Sequence, residues 1–353
     1  MFIIDGHLGI AYNALNFGRD FRLPLADLRA KERGRSPNGV ATVSLPTLQA
    51  GGVAVVFGTL FALPAASPLA ETAVPSLTYR NAAEAHQVAS RQLDYYARLV
   101  DEENGRLRLV TDLTNLNEVI ESQTSENPLL GILLLMEGAD PVREPAELEM
   151  WAERGLRLVG PAWDDTRYAA GAWRHGGGLT SEGYALLEMM QTFGLGLDVS
   201  HLSERSFQQA VERYDGVIVA SHSNARALVP GERQLSDRQI QQLGERNGVI
   251  GIALCNAFLR PHHRLGEHKQ LVTLDHIVAQ VDHICQLLGD SHHVAIGSDL
   301  DGGFGAKDVP LELDSAADLG LIGKKLGEWG YGSEDVANVM GQNWLRVLRG
   351  LLR

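Results

Sequence analysis

The sequence predicts an α/β protein built as a (β/α)8 barrel of the TIM type, with a helical insertion between its second and third strands. Eight short runs rich in β-forming residues recur along the 353 residues and alternate with segments of helical periodicity. Most of these runs are apolar on both faces, as expected for parallel strands that are covered by helices. Eight such units favour a closed barrel over an open sheet.

The candidate strands are distributed over the whole chain. They cover residues 2–5 (FIID), 52–61 (GVAVVFGTLF), 129–137 (LLGILLLME), 156–163 (LRLVGPAW), 194–201 (GLGLDVSH), 216–223 (GVIVASHS), 248–255 (GVIGIALC) and 293–302 (HVAIGSDLDG). Between the later strands, residues 203–214, 236–246 and 274–288 carry apolar residues at helical spacing. Ser203 and Ser236 open the first two of these helices and are suited to cap them.

The segment 62–128 links the second strand to the third and is much longer than the other connections. Apolar residues within it mark one face of a helix: Ala82, Ala85, Ala89, Leu93, Tyr96 and Val100. This pattern predicts a helical insertion in the barrel. Because no linker rich in Pro, Gly or Ser divides the sequence, residues 1–353 are predicted to form a single domain.

The composition argues against several classes of function. Acidic residues outnumber basic ones by 44 to 31, so the net charge is -13, which disfavours nucleic acids and anionic membranes as partners. The first candidate strand begins at Phe2 and leaves no room for a signal peptide, and no apolar run reaches the length of a membrane span. Cys255 and Cys285 lie in apolar segments and are expected to be buried, reduced thiols. We therefore expect a cytoplasmic protein.

Residues of metal-ligating types gather where the predicted strands end. These are His7, Glu137, His201, His222 and Asp299. The C-terminal ends of barrel strands form one face, so these side chains are expected to converge on one pocket. Imidazole nitrogens and carboxylate oxygens are ligands of divalent metals such as zinc, and one carboxylate can bridge two ions. Any one of these residues alone is more commonly an ordinary capping or hydrogen-bonding residue, so the prediction depends on the set.

Six motifs, in chain order, resemble successive signatures of the membrane (renal) dipeptidase family. They are DGHLGIAYNAL, LLMEGADP, LDVSHLSERSF, ASHSNARALVP, RQLSD and AIGSDLDG, and together they extend over nearly the whole chain. The family consists of zinc-dependent hydrolases in the amidohydrolase barrel superfamily. The resemblance implies a small dipeptide-like substrate and a homodimer.

The resemblance also implies a role for each candidate ligand. His201 and His222 would bind one zinc ion. Glu137 would bridge that ion to a second one, to which His7 would also belong. Asp299 would take a proton from the attacking water and pass it to the leaving amine.

Two further residues are expected to contact the substrate. By the resemblance, Arg233 in RQLSD would pair with the substrate's terminal carboxylate, a role that suits its planar guanidinium. From the residues alone, Arg233 would be a solvated charge before a helix. Trp163 in GPAWDDTRY stands where well-studied dipeptidases carry a histidine that would polarise the scissile carbonyl. An indole can donate a hydrogen bond but cannot become cationic, so Trp163 is expected to pack against a ligand or to fill the barrel mouth.

Gly9, like Trp163, departs from the family's pattern. The first signature normally reads His-x-Asp, and its aspartate completes the metal site on the side of His7. This chain has Gly9 instead, which predicts an impaired second metal site held by His7 and Glu137. Asp5 matches a separate acidic position and is expected to hydrogen-bond beneath the site. Alternatively, Gly9 is present because the backbone needs a positive φ there.

The sequence therefore predicts a metal-dependent hydrolase that cleaves the amide bond of dipeptides or similar small carboxylated amides. Gly9 and Trp163 also fit an alternative, a relative that binds a small ligand and has weak or no catalysis. A lactonase or deaminase of the same superfamily is disfavoured. Those enzymes commonly begin with His-x-His on the first strand, whereas this chain has His-x-Gly.

Overall fold

A parallel sheet that curls into a barrel forms the centre of the protein. The computed structural model describes residues 1–32, 39–68, 70, 73–103, 105–173 and 176–353. Its strands are β1 (Ile3–Leu8), β2 (Val53–Phe61), β3 (Leu63–Pro64), β4 (Thr78–Tyr79), β5 (Leu107–Leu109), β6 (Leu130–Glu137), β7 (Leu156–Gly160), β8 (Gly196–Asp198), β9 (Ile218–Val219), β10 (Ile250–Ile252) and β11 (Val294–Ile296).

Eight of these strands form the barrel, in the order β10-β11-β1-β2-β6-β7-β8-β9. Every neighbouring pair is parallel. An isolated parallel bridge between Ala220 and Ile250 joins the two ends of this order. The predicted barrel of eight parallel strands is therefore confirmed.

Helices follow the barrel strands along the chain. They are α1 (Ile10–Phe17), α2 (Leu25–Glu32), α3 (Leu45–Ala50), α4 (Ala82–Glu102), α5 (Leu113–Ser122), α6 (Leu148–Glu153), α7 (Ser181–Thr192), α8 (Glu204–Arg213), α9 (Asp237–Glu245), α10 (Asn256–Leu259), α11 (Leu274–Leu288), α12 (Gly320–Glu328), α13 (Ser333–Ala337) and α14 (Asn343–Leu351). The predicted caps are confirmed, because the hydroxyls of Ser203 and Ser236 accept the backbone N–H of Ser206 and Gln239.

Several strands end earlier than predicted, and this affects the site. The predicted strands 194–201, 216–223 and 293–302 contain only the three-residue β8, the two-residue β9 and the three-residue β11. As a result, His201, His222 and Asp299 each follow a strand instead of ending one. His201 and Asp299 have φ angles of 68° and 56°, which no β-strand can accommodate. By contrast β1 is longer than predicted and includes His7.

The insertion between β2 and β6 contains the predicted helix, and also strands that were not predicted. Helix α4 buries the predicted face, including Ala85, Leu93 and Tyr96. Strand β5 extends the barrel sheet by pairing with the first residues of β6, while β3 and β4 form a separate two-stranded sheet. Residues 69, 71, 72 and 104 of the insertion lie outside the described residues.

Two other expectations can be compared with the described residues. Cys255 and Cys285 are both free and buried, as predicted. Among the described helices, none has the length and apolar character that a membrane span requires.

Candidate active site

The five candidate ligand residues converge at the C-terminal ends of the barrel strands. Their ligand atoms form two groups, Glu137 with His201 and His222, and His7 with His222 and Asp299. Within each group these atoms lie within 4.8 Å of one another. Each of the five residues is at most 9% exposed. The structure therefore brings together residues that are up to 292 positions apart in the sequence (299 minus 7).

The first group is compact and consists of three facing atoms. Glu137 Oε1 lies 3.0 Å from His201 Nε2 and 3.5 Å from His222 Nε2. The two imidazole Nε2 atoms are 2.9 Å apart. Ligands around a tetrahedral zinc ion with bonds of about 2.0 Å are separated by about 3.3 Å, so these spacings suit such an ion.

The second group lies on the other side of Glu137. His7 Nε2 is 3.3 Å from Glu137 Oε2 and 3.8 Å from Asp299 Oδ1. Each oxygen of the Glu137 carboxylate therefore faces a different histidine group, as a bridging carboxylate would.

The backbone conformation that positions two of these residues is uncommon. His201 and Asp299 both occupy the left-handed region, which residues other than glycine rarely adopt outside functional sites. Backbone hydrogen bonds hold them there, from Ala172 N–H to His201 O at 2.7 Å and from Asp299 N–H to His7 O at 3.2 Å. A Cβ atom on Gly302 would lie 1.8 Å from Asp299 Oδ1, so the glycine leaves the room that this carboxylate needs.

The hydroxyl of Ser221 determines which nitrogen of two histidines carries the proton. Ser221 Oγ lies 2.5 Å from Asp198 Oδ2, and a carboxylate can only accept, so Ser221 donates its proton to Asp198. The oxygen of Ser221 then accepts from His222 Nδ1 at 2.8 Å and from His7 Nδ1 at 3.3 Å. With the proton of the neutral ring on Nδ1, Nε2 of each ring presents a lone pair to the site.

Asp5 lies beneath the site and supports β1 and the segment that carries Asp299. Its carboxylate accepts hydrogen bonds from the backbone N–H and the hydroxyl of Ser298 and from the backbone N–H of His7. Burial raises the pKa of Asp5, and these hydrogen bonds oppose that rise. The structure thus confirms the expected hydrogen bonding of Asp5 beneath the site.

Burial and mutual charge shift the pKa values of the five candidate ligands. Burial lowers the pKa of His201 to about 3 and that of His222 well below its usual value. Burial alone would raise the pKa of Glu137, but the neighbouring imidazoles, His7 first, hold it well below its usual value. Burial also opposes protonation of His7, yet the charge and hydrogen bond of Glu137, together with the charges of Asp299 and Asp198, outweigh it and raise the pKa of His7 to about 8. Burial, reinforced by Glu137, raises the pKa of Asp299 to about 7.

The donor set of the first group fits a metal cation. His222 Nε2 presents a lone pair because Ser221 fixes its tautomer. His201 is neutral because burial lowers its pKa to about 3, and its Nε2 lies 2.9 Å from His222 Nε2. Two imidazole nitrogens and an ionised carboxylate therefore face one another within 3.5 Å. Nitrogen and carboxylate donors of this kind are ligands of zinc, and a cation between them stabilises the deprotonated Nε2 atoms.

The backbone at Gly9 excludes one explanation for the glycine. Its φ is -82°, so the alternative that Gly9 serves a positive φ is wrong. A Cβ atom there would lie 3.6 Å from Asn13 Nδ2 and 3.7 Å from Thr59 Oγ1, which are ordinary contacts. Gly9 lines the same cavity as His7 and Asp299. The position therefore has room for a side chain.

Arg233 is buried at the site and is not a solvated charge. Its guanidinium donates to His222 O at 2.8 Å and to Ser223 Oγ at 3.1 Å. It also lies over the ring of Phe258, 5.3 Å from the centroid. Burial lowers the pKa of Arg233, and the charge of Asp299 opposes that shift. A buried cation beside the ligand atoms is placed to attract an anionic group of a small molecule.

Trp163 lies in the wall of the same cavity. Its ring centroid is 5.1 Å from that of Phe61, in an edge-to-face arrangement, and 6.1 Å from that of His201. The expectation that Trp163 packs at the barrel mouth agrees with this position.

The sequence reasoning missed several residues of the site. Asp198 and Ser221 were inside the quoted LDVSH and ASHS motifs, where the need of a ligating histidine for an orienting partner is a usable signal. Trp173 and Phe258 also line the cavity, with their ring centroids 6.4 Å apart. They lie outside the predicted strands and helices, and no periodicity marks them.

Comparison with known sequences identifies one family. A family model described as Membrane dipeptidase (Peptidase family M19) matches residues 1–351. An uncharacterized Klebsiella pneumoniae protein encoded in the pqqA 5′ region is 31% identical over 270 residues, or 74% of this chain and 95% of that protein. Dipeptidase 3 of Rattus norvegicus is 25% identical over 275 residues, or 75% of this chain. The alignment spans about half (52%) of the rat protein's length.

Solved structures share the fold. A metallopeptidase from Rhodobacter sphaeroides, liganded with a phosphinate mimic of the dipeptide L-Ala-D-Ala, aligns with a TM-score of 0.81 at 24% identity, over 99% of both chains. A probable dipeptidase, PvdM from Pseudomonas aeruginosa, aligns with a TM-score of 0.78 at 19% identity, over 100% of this chain and 96% of its own. At these identities the similarity shows a common barrel architecture.

Proposed function

This chain belongs to the membrane dipeptidase family, and from that premise we propose that it hydrolyses dipeptides or similar small amides that carry a free carboxylate. At the level of the family, the homologues support metal-dependent hydrolysis of dipeptides. One observation carries the proposal for this chain. The acceptor atoms of Glu137, His201 and His222 face one another beside the carboxyl of Asp299 and the buried cation of Arg233.

His201, His222 and Glu137 would hold the more tightly bound metal, which we propose to be zinc. Their separations of 2.9–3.5 Å and their lone pairs support this assignment. When bound, the metal supplies a Lewis acid for the scissile carbonyl and lowers the pKa of the attacking water. His7 and the second oxygen of Glu137 would contribute to a second, weaker site, since Gly9 has no donor group to offer.

Asp299 would move the proton during hydrolysis. Its carboxylate oxygen lies 3.8 Å from His7 Nε2, beside the candidate metal ligands, where it can accept a proton and release it again. Water adds to the amide carbon and gives up a proton to Asp299. Asp299 then protonates the amide nitrogen, the C–N bond breaks, and a carboxylic acid and an amine leave.

Arg233 would bind the carboxylate of the substrate. Its guanidinium is buried and already positioned by His222 O and Ser223 Oγ, so little order is lost when a carboxylate binds. This contact would orient the substrate with its amide at the metal end of the cavity.

The test is a dipeptide panel assayed at several zinc loadings, with Asp299→Asn as the catalytic variant. We expect zinc-dependent hydrolysis by the natural protein and a loss of at least 100-fold in kcat for Asp299→Asn, the scale of general acid–base catalysis. Asp94→Asn, the same change at an exposed carboxylate, is the control and should keep full activity. Absence of turnover at every metal loading, together with ligand-dependent thermal stabilisation, would favour the non-catalytic alternative. The homodimer and the cytoplasmic location stay predictions.

A further inference from the structure

The cavity above the candidate metal ligands is largely aromatic. It has a volume of about 250 Å³ and is open to solvent on one side. Six aromatic side chains line it besides the histidines: Tyr12, Phe61, Trp163, Trp173, Phe258 and Phe304. The proposed hydrolysis itself needs none of them, since they offer neither a metal ligand nor a carboxylate. Their number therefore calls for a role in recognising the substrate.

On one side, these rings form a connected wall that ends at a candidate metal ligand. The centroids of Tyr12 and Phe61 are 5.3 Å apart, and those of Phe61 and Trp163 are 5.1 Å apart. Trp163 then approaches His201, with their ring centroids 6.1 Å apart. A flat apolar group next to the scissile bond would pack against this wall.

A second wall of aromatic rings leads from His201 to Arg233. The ring centroid of Trp173 is 6.0 Å from that of His201 and 6.4 Å from that of Phe258. Phe258 in turn contacts the guanidinium of Arg233. The two walls thus meet at His201, where the scissile amide would lie.

Trp173 is 47% exposed and lines the cavity. The preceding residue donates its backbone N–H to His201 O at 2.7 Å, and Gly171 forms an isolated bridge with Leu202, so the segment that leads to Trp173 is joined to the segment of His201. A half-exposed tryptophan in the lining of a cavity is available to pack against a bound molecule.

The acidic groups of the described cavity lining already have partners within the protein. Glu137 and Asp299 are directed at the imidazoles of the metal site. Asp301 is buried, and its oxygens are taken by Arg19 at 3.2 Å and by the hydroxyl and backbone N–H of Thr42 at 2.6 Å and 2.8 Å. A free ammonium group next to the scissile carbonyl would therefore meet the metal and Arg233, both cationic, without a carboxylate reserved for it.

Building on the proposed function, we propose that the acyl half of the substrate is a bulky, uncharged apolar group and that a free amino group is not required. The substrate class then includes N-acyl amino acids whose acyl group is aromatic. Water is added across the same amide bond, and an apolar carboxylic acid and a free amino acid are released. Small dipeptides such as Gly-Ala would be poor substrates because they leave the aromatic walls in water.

Four amides of alanine test this inference: Phe-Ala, its des-amino analogue 3-phenylpropanoyl-Ala, Gly-Ala and its des-amino analogue acetyl-Ala. Each is offered to the zinc-loaded full chain with both L- and D-alanine. We expect the phenyl group to raise kcat/KM at least tenfold in both pairs. Removal of the amino group should lower kcat/KM by no more than threefold. A smaller effect of the phenyl group, or a larger effect of the amino group, would overturn the inference even if hydrolysis occurs.

A pair of tryptophan variants locates the effect. Trp163→Ala changes the row of rings that leads from His201 away from Arg233, and should reduce the ratio of kcat/KM for 3-phenylpropanoyl-Ala over acetyl-Ala at least threefold. Trp329→Ala removes a tryptophan outside the lining of this cavity, and should leave that ratio unchanged. Equal ratios in the two variants would contradict the assignment of Trp163.

The test also separates the inference from the proposed function. If none of the four amides is cleaved at any metal loading, the proposed function fails, and the inference is then decided by binding. In that case 3-phenylpropanoyl-Ala should raise the melting temperature at tenfold lower concentration than acetyl-Ala does. If both compounds raise the melting temperature at the same concentration, the inference is refuted as well.

Discussion

Replacing Gly9 by aspartate tests whether the second metal site lacks a ligand. The backbone φ of -82° accepts any L-residue, and the contacts of a new Cβ atom, at 3.6 Å and 3.7 Å, are ordinary. Gly9 is also the N-cap of α1, where the structure has no side-chain cap. If its carboxylate turns toward the cavity, Gly9→Asp adds a donor beside His7 and Glu137. We therefore expect nearly two zinc ions per chain where the natural protein binds about one.

The expected change in stability has two parts. Loss of glycine's freedom in the unfolded chain raises the free energy of unfolding by about 0.4–1 kcal/mol. For a chain of 353 residues this corresponds to at most about 1–2 °C. Zinc at 100 times the Kd of the restored site adds about 2.7 kcal/mol, or about 4 °C. Without metal, repulsion of the new carboxylate by Glu137 and Asp299 should offset the contribution from the unfolded chain. The gain in melting temperature should therefore appear only when zinc is added.

Gly9→Asn is the matched control, because asparagine has nearly the same shape and caps helices equally well but is neutral. Zinc content by elemental analysis and melting temperature with and without zinc should be measured for the natural protein and both variants. The reasoning is refuted if Gly9→Asp and Gly9→Asn bind the same amount of zinc. It is also refuted if the natural protein already holds two tightly bound ions, since another residue would then supply the missing ligand.

Three further substitutions test the assignments at the site. His222→Ala removes one of three ligands of the tighter site, so zinc content should fall well below one ion per chain; full stoichiometry would mean that the ligands are wrongly assigned. Ser221→Ala removes the acceptor that fixes the histidine tautomers and should weaken zinc binding about 10–100-fold. A competition titration with a chelating dye measures this, and an unchanged Kd for zinc would exclude the orienting role of Ser221. Arg233→Met should weaken binding of carboxylate substrates by about 1.5–3 kcal/mol, whereas Arg226→Met, at an arginine that pairs with an exposed glutamate, should not. An unchanged preference of Arg233→Met for free over amidated C-termini would contradict the carboxylate contact.

The sequence predicted the barrel because the patterns that indicate strands and helices can be read within short segments of the chain. Parallel strands buried on both faces need continuous apolar runs, and helices that cover them need 3.6-residue periodicity, so both signals survive without any knowledge of contacts. Strand ends were less well predicted. The left-handed backbone at His201 and Asp299 ends both strands. Serine, aspartate and glycine around them are poor strand formers, and His and Asp adopt this conformation more readily than most residues, so the sequence did carry a signal that was not used. The insertion's β5 was missed because its three residues, LRL, include an arginine and follow a charged segment, so no apolar run marks them.

Residue identity alone determined which chemistry was available to this protein, since histidines and carboxylates at successive strand ends are metal-ligating groups wherever the chain places them. Only the tertiary structure decided how those groups relate. The tautomers of His7 and His222 depend on one hydroxyl that Asp198 orients, 23 residues before it in the sequence (221 minus 198). The aromatic walls join side chains from two helices, a strand and two loops that meet only when the barrel closes. The direction of a hydrogen bond and the shape of a cavity depend on atoms that lie within a few ångströms of one another in space. The linear sequence does not record those distances.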